Sequence, residues 1–404
     1  MEHKKNALFV NGPINAFRIE GNIEGIIKVL YLFGDRHEDI RYQTECENME
    51  AIEMKEYLLK NFNKSEKNTI DFFMEAEPNY ITTKKNINRG IYFESILKFF
   101  LKNFNVDTKK NKIYTSSSLP NVRFHYMDIR SIISFDFNFE KERLSSIVYK
   151  FLNIYLDKYL SLSTDEIIVF IDIFKKIKEN YIFIYNLLFE NKNKREKYEY
   201  DEKIYSNDYK FNENIAKKTI RKLYDTDNIF IKNILNKIIV EHIKPKILRC
   251  VKLTNKIIIL FEEYKNLMNE TKNIHLNIYY RNKYGKITSK IYEKMEYLSE
   301  INSITNLILT DMYFIRRFMD KKYVTNAVIY AGDNHIMNYI YILIKYVDFK
   351  ITHFSYLNVD IEKFTKIIKN TKKNYDFQNL YKYIPFNNDR YQCSDLTEFP
   401  NNFL

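Results

Sequence analysis

Residues 326–335 read NAVIYAGDNH, an apolar run that ends in the motif Gly-Asp-Asn-His. The run is long enough for a buried strand, and Gly332 allows the backbone to turn sharply where that strand ends. Apolar residues at helical spacing follow over residues 336–347, and residues 349–354 alternate as in a second strand. Strand, helix and strand within about thirty residues predict a βαβ unit.

The same four-residue pattern stands near the other end of the chain. Lys28–Phe33 is another buried-strand run, and Gly-Asp-Arg-His follows it at residues 34–37. Only 7 Gly and 7 His occur in 404 residues, so two copies of Gly-Asp-x-His point to a shared site rather than to chance. The carboxyl edge of a parallel sheet is where α/β folds place their sites. We therefore expect His37 and His335 to meet there.

Glu75 is the third element of this predicted site. Thr69–Met74 predicts a further strand, and Glu75 follows it directly. Imidazole binds divalent transition metals, and two histidines with one carboxylate form a common hydrolytic metal set. We predict that His37, His335 and Glu75 bind one divalent ion, Mn, Co or Zn, and that Glu75 also takes part in catalysis.

The aspartates of the two motifs have a separate predicted role. Asp35 or Asp333 would hold a histidine ring from behind, as carboxylates commonly do at metal sites, and both are candidate catalytic residues. The alternative interpretation is structural. In that case Gly-Asp is a strand-to-helix turn, each histidine packs locally and Glu75 is a solvated charge at a strand end.

A second polar cluster lies in residues 121–130, NVRFHYMDIR. His125 and Asp128 are three positions apart and would share a helix face. They are candidates to complete the metal shell or to act as an acid–base pair, and Arg130 is a candidate to bind an oxyanion or a carboxylate. The alternative is a cluster of salt bridges at the start of a helix.

The pattern of apolar residues divides the chain into three segments. Residues 1–138 and 325–404 mix strand and helix patterns, whereas residues 139–324 carry apolar residues three and four positions apart. We predict an α/β fold with a mixed sheet built by βαβ-like units from both ends of the chain. The segment 139–324 is predicted to be a large all-helical insertion that contributes no metal ligand.

Several helices are predicted within this insertion. Ser-Thr-Asp-Glu at residues 163–166 is a capping-box pattern and marks a helix start. A highly charged stretch at 191–214 predicts an exposed connector. The further predicted helices span about 214–243, 251–268 and 287–319.

Composition indicates the class of protein and its source. Lys, Asn, Ile, Tyr and Phe dominate, a skew typical of an AT-rich genome such as that of a protist, a low-GC bacterium or a large DNA virus. The net charge of +12 is partly a product of that bias. Binding of nucleic acid is possible but not favoured, because acidic residues interleave the basic middle of the chain.

The three cysteines, at positions 46, 250 and 393, exclude a disulfide scaffold and a structural zinc module. Cys46 is expected to be a buried thiol, with a Cys/His nucleophile pair as the alternative. No stretch of 18 uncharged apolar residues occurs, so we expect no membrane span. The sequence predicts a soluble, reduced, intracellular protein, located in the host cytoplasm or the virion if it is viral.

Taken together, Gly34/His37, Glu75 and Gly332/His335 resemble the GxxH, glutamate and GxxH elements of the TraB/PrgY/GumN/Tiki superfamily, which is related to erythromycin-esterase and ChaN-like proteins. The opening at residues 16–20, AFRIE, is also similar to the family's start. The family's basic residue before the second motif is matched by Arg316 or Arg317. The resemblance implies a metal-dependent hydrolase of amide or ester bonds, protease-like as in the Tiki branch, and a diverged giant-virus member would suit the composition.

Two other functions stay open. The motif at residues 35–37, Asp-Arg-His, also matches the opening of calcineurin-like metallophosphoesterases, although their terminal GHxH is missing. A non-catalytic viral structural or host-interaction protein on an enzyme-like fold is the third possibility. Walker A, GxGxxG, GxSxG and HExxH motifs do not occur in the sequence, which argues against nucleotide-dependent motors, kinases and ordinary serine hydrolases.

Overall fold

The computed structural model describes residues 7–37, 46, 50–65, 68–76, 91–104, 106–107, 112–113, 116–130, 149, 151–152, 162–189, 213–224, 226–271, 278–371, 377–384 and 392–403. These residues form two compact units. Unit 1 contains residues 1–129, 226–235 and 310–404, and unit 2 contains residues 130–225 and 236–309.

The strands all belong to unit 1. They are β1 (Phe9–Asn11), β2 (Asn15–Ile23), β3 (Ile26–Asp35), β4 (Ile52–Glu53), β5 (Ile70–Met74), β6 (Val106–Asp107), β7 (Lys112–Ile113), β8 (Val122–Tyr126), β9 (Asn326–Gly332), β10 (Lys350–Phe354) and β11 (Cys393–Asp395).

The helices are distributed over both units. They are α1 (Met54–Lys64), α2 (Tyr92–Asn103), α3 (Thr164–Phe189), α4 (Glu213–Lys222), α5 (Ile229–Ile238), α6 (Lys244–Thr271), α7 (Ile278–Asp320), α8 (Asp333–Val347) and α9 (Ile361–Lys369). A π-helical turn, Ile239–Ile243, joins α5 to α6, and a 3-10 helix spans Phe377–Tyr383.

A six-stranded sheet in the order β10-β2-β3-β9-β5-β8 organises unit 1. The four strands β3, β9, β5 and β8 run parallel, and β2 and β10 add antiparallel pairs at one side. Strand β9, from the end of the chain, lies between β3 and β5, from its beginning. The predicted α/β fold with a mixed sheet built from both ends is therefore confirmed.

The central strands are buried because both faces of the sheet are covered, as parallel sheets require. Every residue from Lys28 to Asp35 is buried in β3, and so is every residue from Ala327 to Gly332 in β9. Lys28 is the one charged residue early in this run. Its Nζ donates to the carbonyls of Phe318, Lys321 and Val324 at 2.7–2.8 Å, which satisfies the buried ammonium.

Most predicted elements occur where the pattern placed them. The strands predicted at 28–33, 69–74, 326–331 and 349–354 are β3, β5, β9 and β10, and helix α8 follows β9. Two predictions are wrong. Residues 122–126 form strand β8 rather than a helix, because their apolar side chains alternate, and the helix predicted at 214–243 is interrupted between α4 and α5.

Unit 2 is helical in its described part. The predicted capping box is present at the start of α3, where Ser163 and Glu166 each accept the other's backbone N–H, at 3.2 and 2.7 Å. Helices α3 and α6 pack through Phe174 and Phe261, whose ring centroids are 5.9 Å apart. Most of the predicted connector at 191–214 lies outside the described residues. No helix in the described part of the chain is long and apolar enough to cross a membrane.

A disulfide joins Cys46 to Cys393 in unit 1. This corrects the expectation that Cys46 is a thiol and that the cysteines are reduced. The bond joins Cys46 to strand β11. Asn11 of β1 contacts both cysteines, since it pairs with Cys393 in the sheet and its side chain accepts the Cys46 N–H at 2.8 Å. Cys250 in unit 2 is free and buried.

Candidate functional site

Glu75 lies between the two motif histidines at the carboxyl edge of the sheet. His37 Nε2 is 3.1 Å from one carboxylate oxygen, and His335 Nε2 is 3.2 Å from the other. The backbone N–H of Gly332 donates to the same carboxylate at 2.7 Å. Strands β3, β5 and β9 are neighbours in the sheet, so three segments that are distant in sequence end together at this point.

Each histidine is held from its other side by a buried aspartate. Asp35 Oδ1 lies 3.0 Å from Nδ1 of His37, and Asp311 Oδ1 lies 2.5 Å from Nδ1 of His335. Both aspartates are anchored in turn: Asn338 donates to Asp311 Oδ2 at 2.5 Å, and Gln392 donates to Asp35 Oδ2 at 3.1 Å. The result is a continuous series Asp35–His37–Glu75–His335–Asp311.

Tyr330 completes the anchoring of Asp35. Its hydroxyl donates to Asp35 Oδ2, and the ring is fully buried in β9. The backbone N–H of His37 donates to Asp35 Oδ1 at 2.6 Å, so the same oxygen holds both the main chain and the ring of His37. His37 has a φ of 57°, a left-handed conformation that costs a non-glycine residue energy and that this tight turn imposes.

The two Gly-Asp-x-His motifs are used differently. Asp35 contacts its own histidine, whereas Asp333 accepts a hydrogen bond from Asn15 and His335 turns to Asp311 instead. Asp311 lies in α7, within the segment predicted to be an insertion, and was missed by the sequence analysis. An aspartate between apolar neighbours in a helix was the available signal. The predicted catalytic roles of Asp35 and Asp333 stay predictions.

Proton affinities in the site follow from these contacts. Burial lowers the pKa of His37 and of His335, but Glu75 and the two aspartates outweigh it and raise each pKa to about 10. Burial raises the pKa of Glu75, but His335 and His37 outweigh it and hold that pKa well below its usual value. These shifts favour the protonated form of both imidazoles and the ionised form of Glu75.

Burial also acts on the neighbouring acids. It raises the pKa of Asp311, which His335 only partly offsets. It raises the pKa of Asp333 to about 6, and the hydrogen bond from Asn15 reduces that effect.

The donor set suits a divalent transition metal. Both rings offer Nε2 to one carboxylate while Nδ1 contacts an aspartate, which is the common arrangement behind metal-binding histidines. The backbone of Gly332 approaches these groups closely, because a Cβ added there would lie 3.0 Å from Glu75 Oε2 and 3.1 Å from His37 Nε2, so only glycine leaves both atoms uncrowded. The described residues contain no group of three ligands already at metal spacing. Metal binding would displace the protons that now link Glu75 to the rings.

The remaining predicted residues make other contacts. Both ring nitrogens of His125 are engaged, by Asp71 at 2.6 Å and by Arg317 at 2.9 Å. Asp128 is buried, and its backbone N–H donates to the carbonyl of Ala76. Because residues 122–126 are a strand, His125 and Asp128 do not share a helix face.

Arg130 is the first residue of unit 2 and is half-buried. The metal-binding roles of His125 and Asp128 and the anion-binding role of Arg130 stay predictions.

These features define a class of α/β protein in which two strand-end histidines flank one buried glutamate. The chain belongs to the family of unknown function DUF5847, whose model matches residues 8–404.

Two relatives from Acanthamoeba polyphaga mimivirus align over 99% of this chain. Uncharacterized protein R161 is 32% identical over 438 residues and covered to 99%, and uncharacterized protein R160 is 33% identical over 437 residues and covered to 98%. No solved structure matches. The viral source of these relatives agrees with the virus among the sources suggested by composition.

Proposed function

We propose that this protein is a metal-dependent hydrolase of amide or ester bonds, in line with its resemblance to the TraB/PrgY/GumN/Tiki superfamily. One observation carries the proposal: the Nε2 atoms of His37 and His335 converge on the carboxylate of Glu75. These three residues would hold the ion, which would supply Lewis acidity and an activated water.

The other residues of the site orient the two imidazoles and determine from which side substrate would enter. Asp35 and Asp311 bind Nδ1 of each ring, which directs both Nε2 atoms to the same place and raises their basicity. The His37 side chain is 33% exposed and that of His335 only 4% exposed, so substrate would enter from the His37 side.

Metal analysis after reconstitution tests the proposal. We expect about one equivalent of Mn, Co or Zn per chain and loss of binding in His335→Gln, whereas His353→Gln, a histidine of β10, should keep it. Hydrolysis of p-nitrophenyl esters and of a fluorogenic peptide library should require the same metal. A metal content below about a tenth of an equivalent after reconstitution would remove the proposal.

The metallophosphoesterase alternative receives less support from the geometry. That interpretation needs Asp35 as a metal ligand, but both of its carboxylate oxygens already accept hydrogen bonds from His37, Tyr330 and Gln392. Hydrolysis of p-nitrophenyl phosphate that is lost in Asp35→Asn would nevertheless reverse the preference. A protein that binds metal at neither motif would favour the non-catalytic alternative.

A further inference from the structure

The guanidinium of Arg317 lies near the candidate site and makes few hydrogen bonds there. It lies on α7, is half-buried, and its Nη2 donates to His125 Nδ1 at 2.9 Å. Among the described residues this is the single hydrogen-bond acceptor recorded for a group that carries five N–H donors. A partly desolvated cation of this kind has unused capacity for an anion.

His125 fixes the direction of that guanidinium. Arginine can only donate, so Nδ1 of His125 accepts and its Nε2–H donates to Asp71 at 2.6 Å. The ring is also stacked on Phe73, with centroids 4.5 Å apart and planes at 24°. Burial lowers the pKa of His125, and Arg317 adds to that effect, in keeping with a neutral ring of one tautomer.

No carboxylate of the described residues forms an ion pair with Arg317, whose Nη2 contacts the ring of His125. Asp71 is already paired with Arg123, whose Nε and Nη2 reach its two oxygens at 2.8 and 2.6 Å. Lys28 lies in the fields of Asp71 and Asp320. The guanidinium of Arg317 therefore has donors available for an anion that is not part of this network.

Arg317 is close to the candidate metal site along the same face of the sheet. Asp71, Phe73 and Glu75 alternate to one side of the β5 segment, which places Phe73 about 7 Å from Glu75. The guanidinium carbon is 6.0 Å from the centroid of the Phe73 ring. The same helix, α7, carries Asp311, which contacts His335.

We propose that Arg317 binds an oxyanion of the substrate, a carboxylate or a phosphate, beside the bond to be cleaved, and that His125 is the residue that positions it. This inference rests on the proposed hydrolase function, because it assigns an anionic class of substrate to that site. The anion contact itself needs no metal, because guanidinium recognises both groups by bidentate hydrogen bonding.

Calorimetric titration of chelator-treated protein with glutarate and with inorganic phosphate provides the test. We expect saturable binding of at least one of the two anions, and the tighter one identifies the group. Arg317→Gln should weaken it by about tenfold or more, and Arg317→Lys by less, because lysine keeps the charge without the fork. Arg249→Gln is the matched control: this arginine of unit 2 also lies over a ring, that of Tyr297, at 4.6 Å.

Two substitutions of His125 separate positioning from packing. The Asn oxygen in His125→Asn replaces Nδ1 as acceptor for Arg317, whereas the Gln amide in His125→Gln replaces the donor to Asp71. Both lose the ring stacked on Phe73. We expect anion binding to persist within about threefold in His125→Asn and to fall as in Arg317→Gln in His125→Gln.

Several outcomes would overturn the inference. Anion binding that is absent in the wild type, or that Arg249→Gln weakens as much as Arg317→Gln, excludes the subsite. Equal losses in the two His125 variants exclude positioning. Since every titration uses metal-free protein, a negative result here is distinguishable from failure of the hydrolase proposal, which the metal content decides.

Discussion

Asp311 and His335 form a buried hydrogen-bonded pair at 2.5 Å, although one belongs to helix α7 and the other to helix α8. Asp35 makes the corresponding contact to His37 from within its own motif. Two motifs of the same Gly-Asp-x-His pattern therefore bring a histidine to one glutamate, and a different aspartate supports each histidine.

Replacing Asp311 by Asn should weaken metal binding about 10- to 100-fold, because the carboxylate behind a ligand histidine raises its basicity and fixes its orientation. Asp333→Asn is the matched control, since Asp333 contacts Asn15 and not His335. Competition with a fluorescent chelator measures both affinities. If the two variants bind metal equally well, the support assigned to Asp311 is wrong.

Gly332→Ala should crowd the candidate ligands Glu75 and His37. The added Cβ would lie 3.0 Å from Glu75 Oε2 and 3.1 Å from His37 Nε2, closer than side-chain contacts normally allow. Gly332 has a φ of −54°, so alanine fits its backbone and the fold should persist. We expect loss of metal uptake with near-normal thermal unfolding. Gly285→Ala, where a Cβ meets nothing within 4 Å, should bind metal as the wild type does.

The metal-free protein should lose stability in alkaline solution. The folded-state pKa of His37 and of His335 is about 10, above the ordinary value of 6.5. Their contribution is therefore complete below about pH 6.5 and is lost as the pH rises through about 10. Lys28 acts in the opposite direction, since burial lowers its pKa to about 8.

Urea unfolding between pH 6 and pH 10 measures this dependence. The double variant His37→Gln/His335→Gln keeps Lys28 and lacks both imidazoles. The free energy of unfolding of the wild type should approach that of the variant as the pH rises. A constant difference across the range would contradict the assignment of two imidazolium ions beside Glu75.

Breaking the Cys46–Cys393 disulfide should destabilise unit 1 by about 2–5 kcal/mol, because the bond closes a very long loop. Thermal unfolding of Cys393→Ser, with and without dithiothreitol, is the measurement. The reductant should lower the melting temperature of the wild type and leave the variant unchanged. An equal response of both proteins would show that the two cysteines are not bonded.

Sequence patterns identified the parts of the site that follow strands. Buried runs before Gly34 and Gly332 predict strands β3 and β9, and a strand end fixes where the next side chains emerge. Asp311 could not be assigned in this way, because a long helix offers no end that marks a site. Its partner was settled only by the packing of α7 and α8.

Two errors had local causes. The spacing of His125 and Asp128 suggested a helix face, but the alternation of Val122, Phe124 and Tyr126 with polar residues is a strand pattern. The disulfide spans 347 residues, and no local pattern relates Cys46 to Cys393. Both cases show where pairing across the sheet, rather than neighbours along the chain, determines structure.

The position of β9 has a consequence for synthesis of the protein. Strands β3 and β5 pair with β9 and not with each other, so a nascent chain that ends before residue 326 contains the six-stranded sheet only as two separate ribbons, β2-β3 and β5-β8. Of the six strands of this sheet, β9 is the fifth to be synthesised, and only β10 follows it. Unit 1 can therefore complete its sheet only after β9 and β10 have been synthesised, and chains that stop before residue 326 carry open strand edges that invite aggregation.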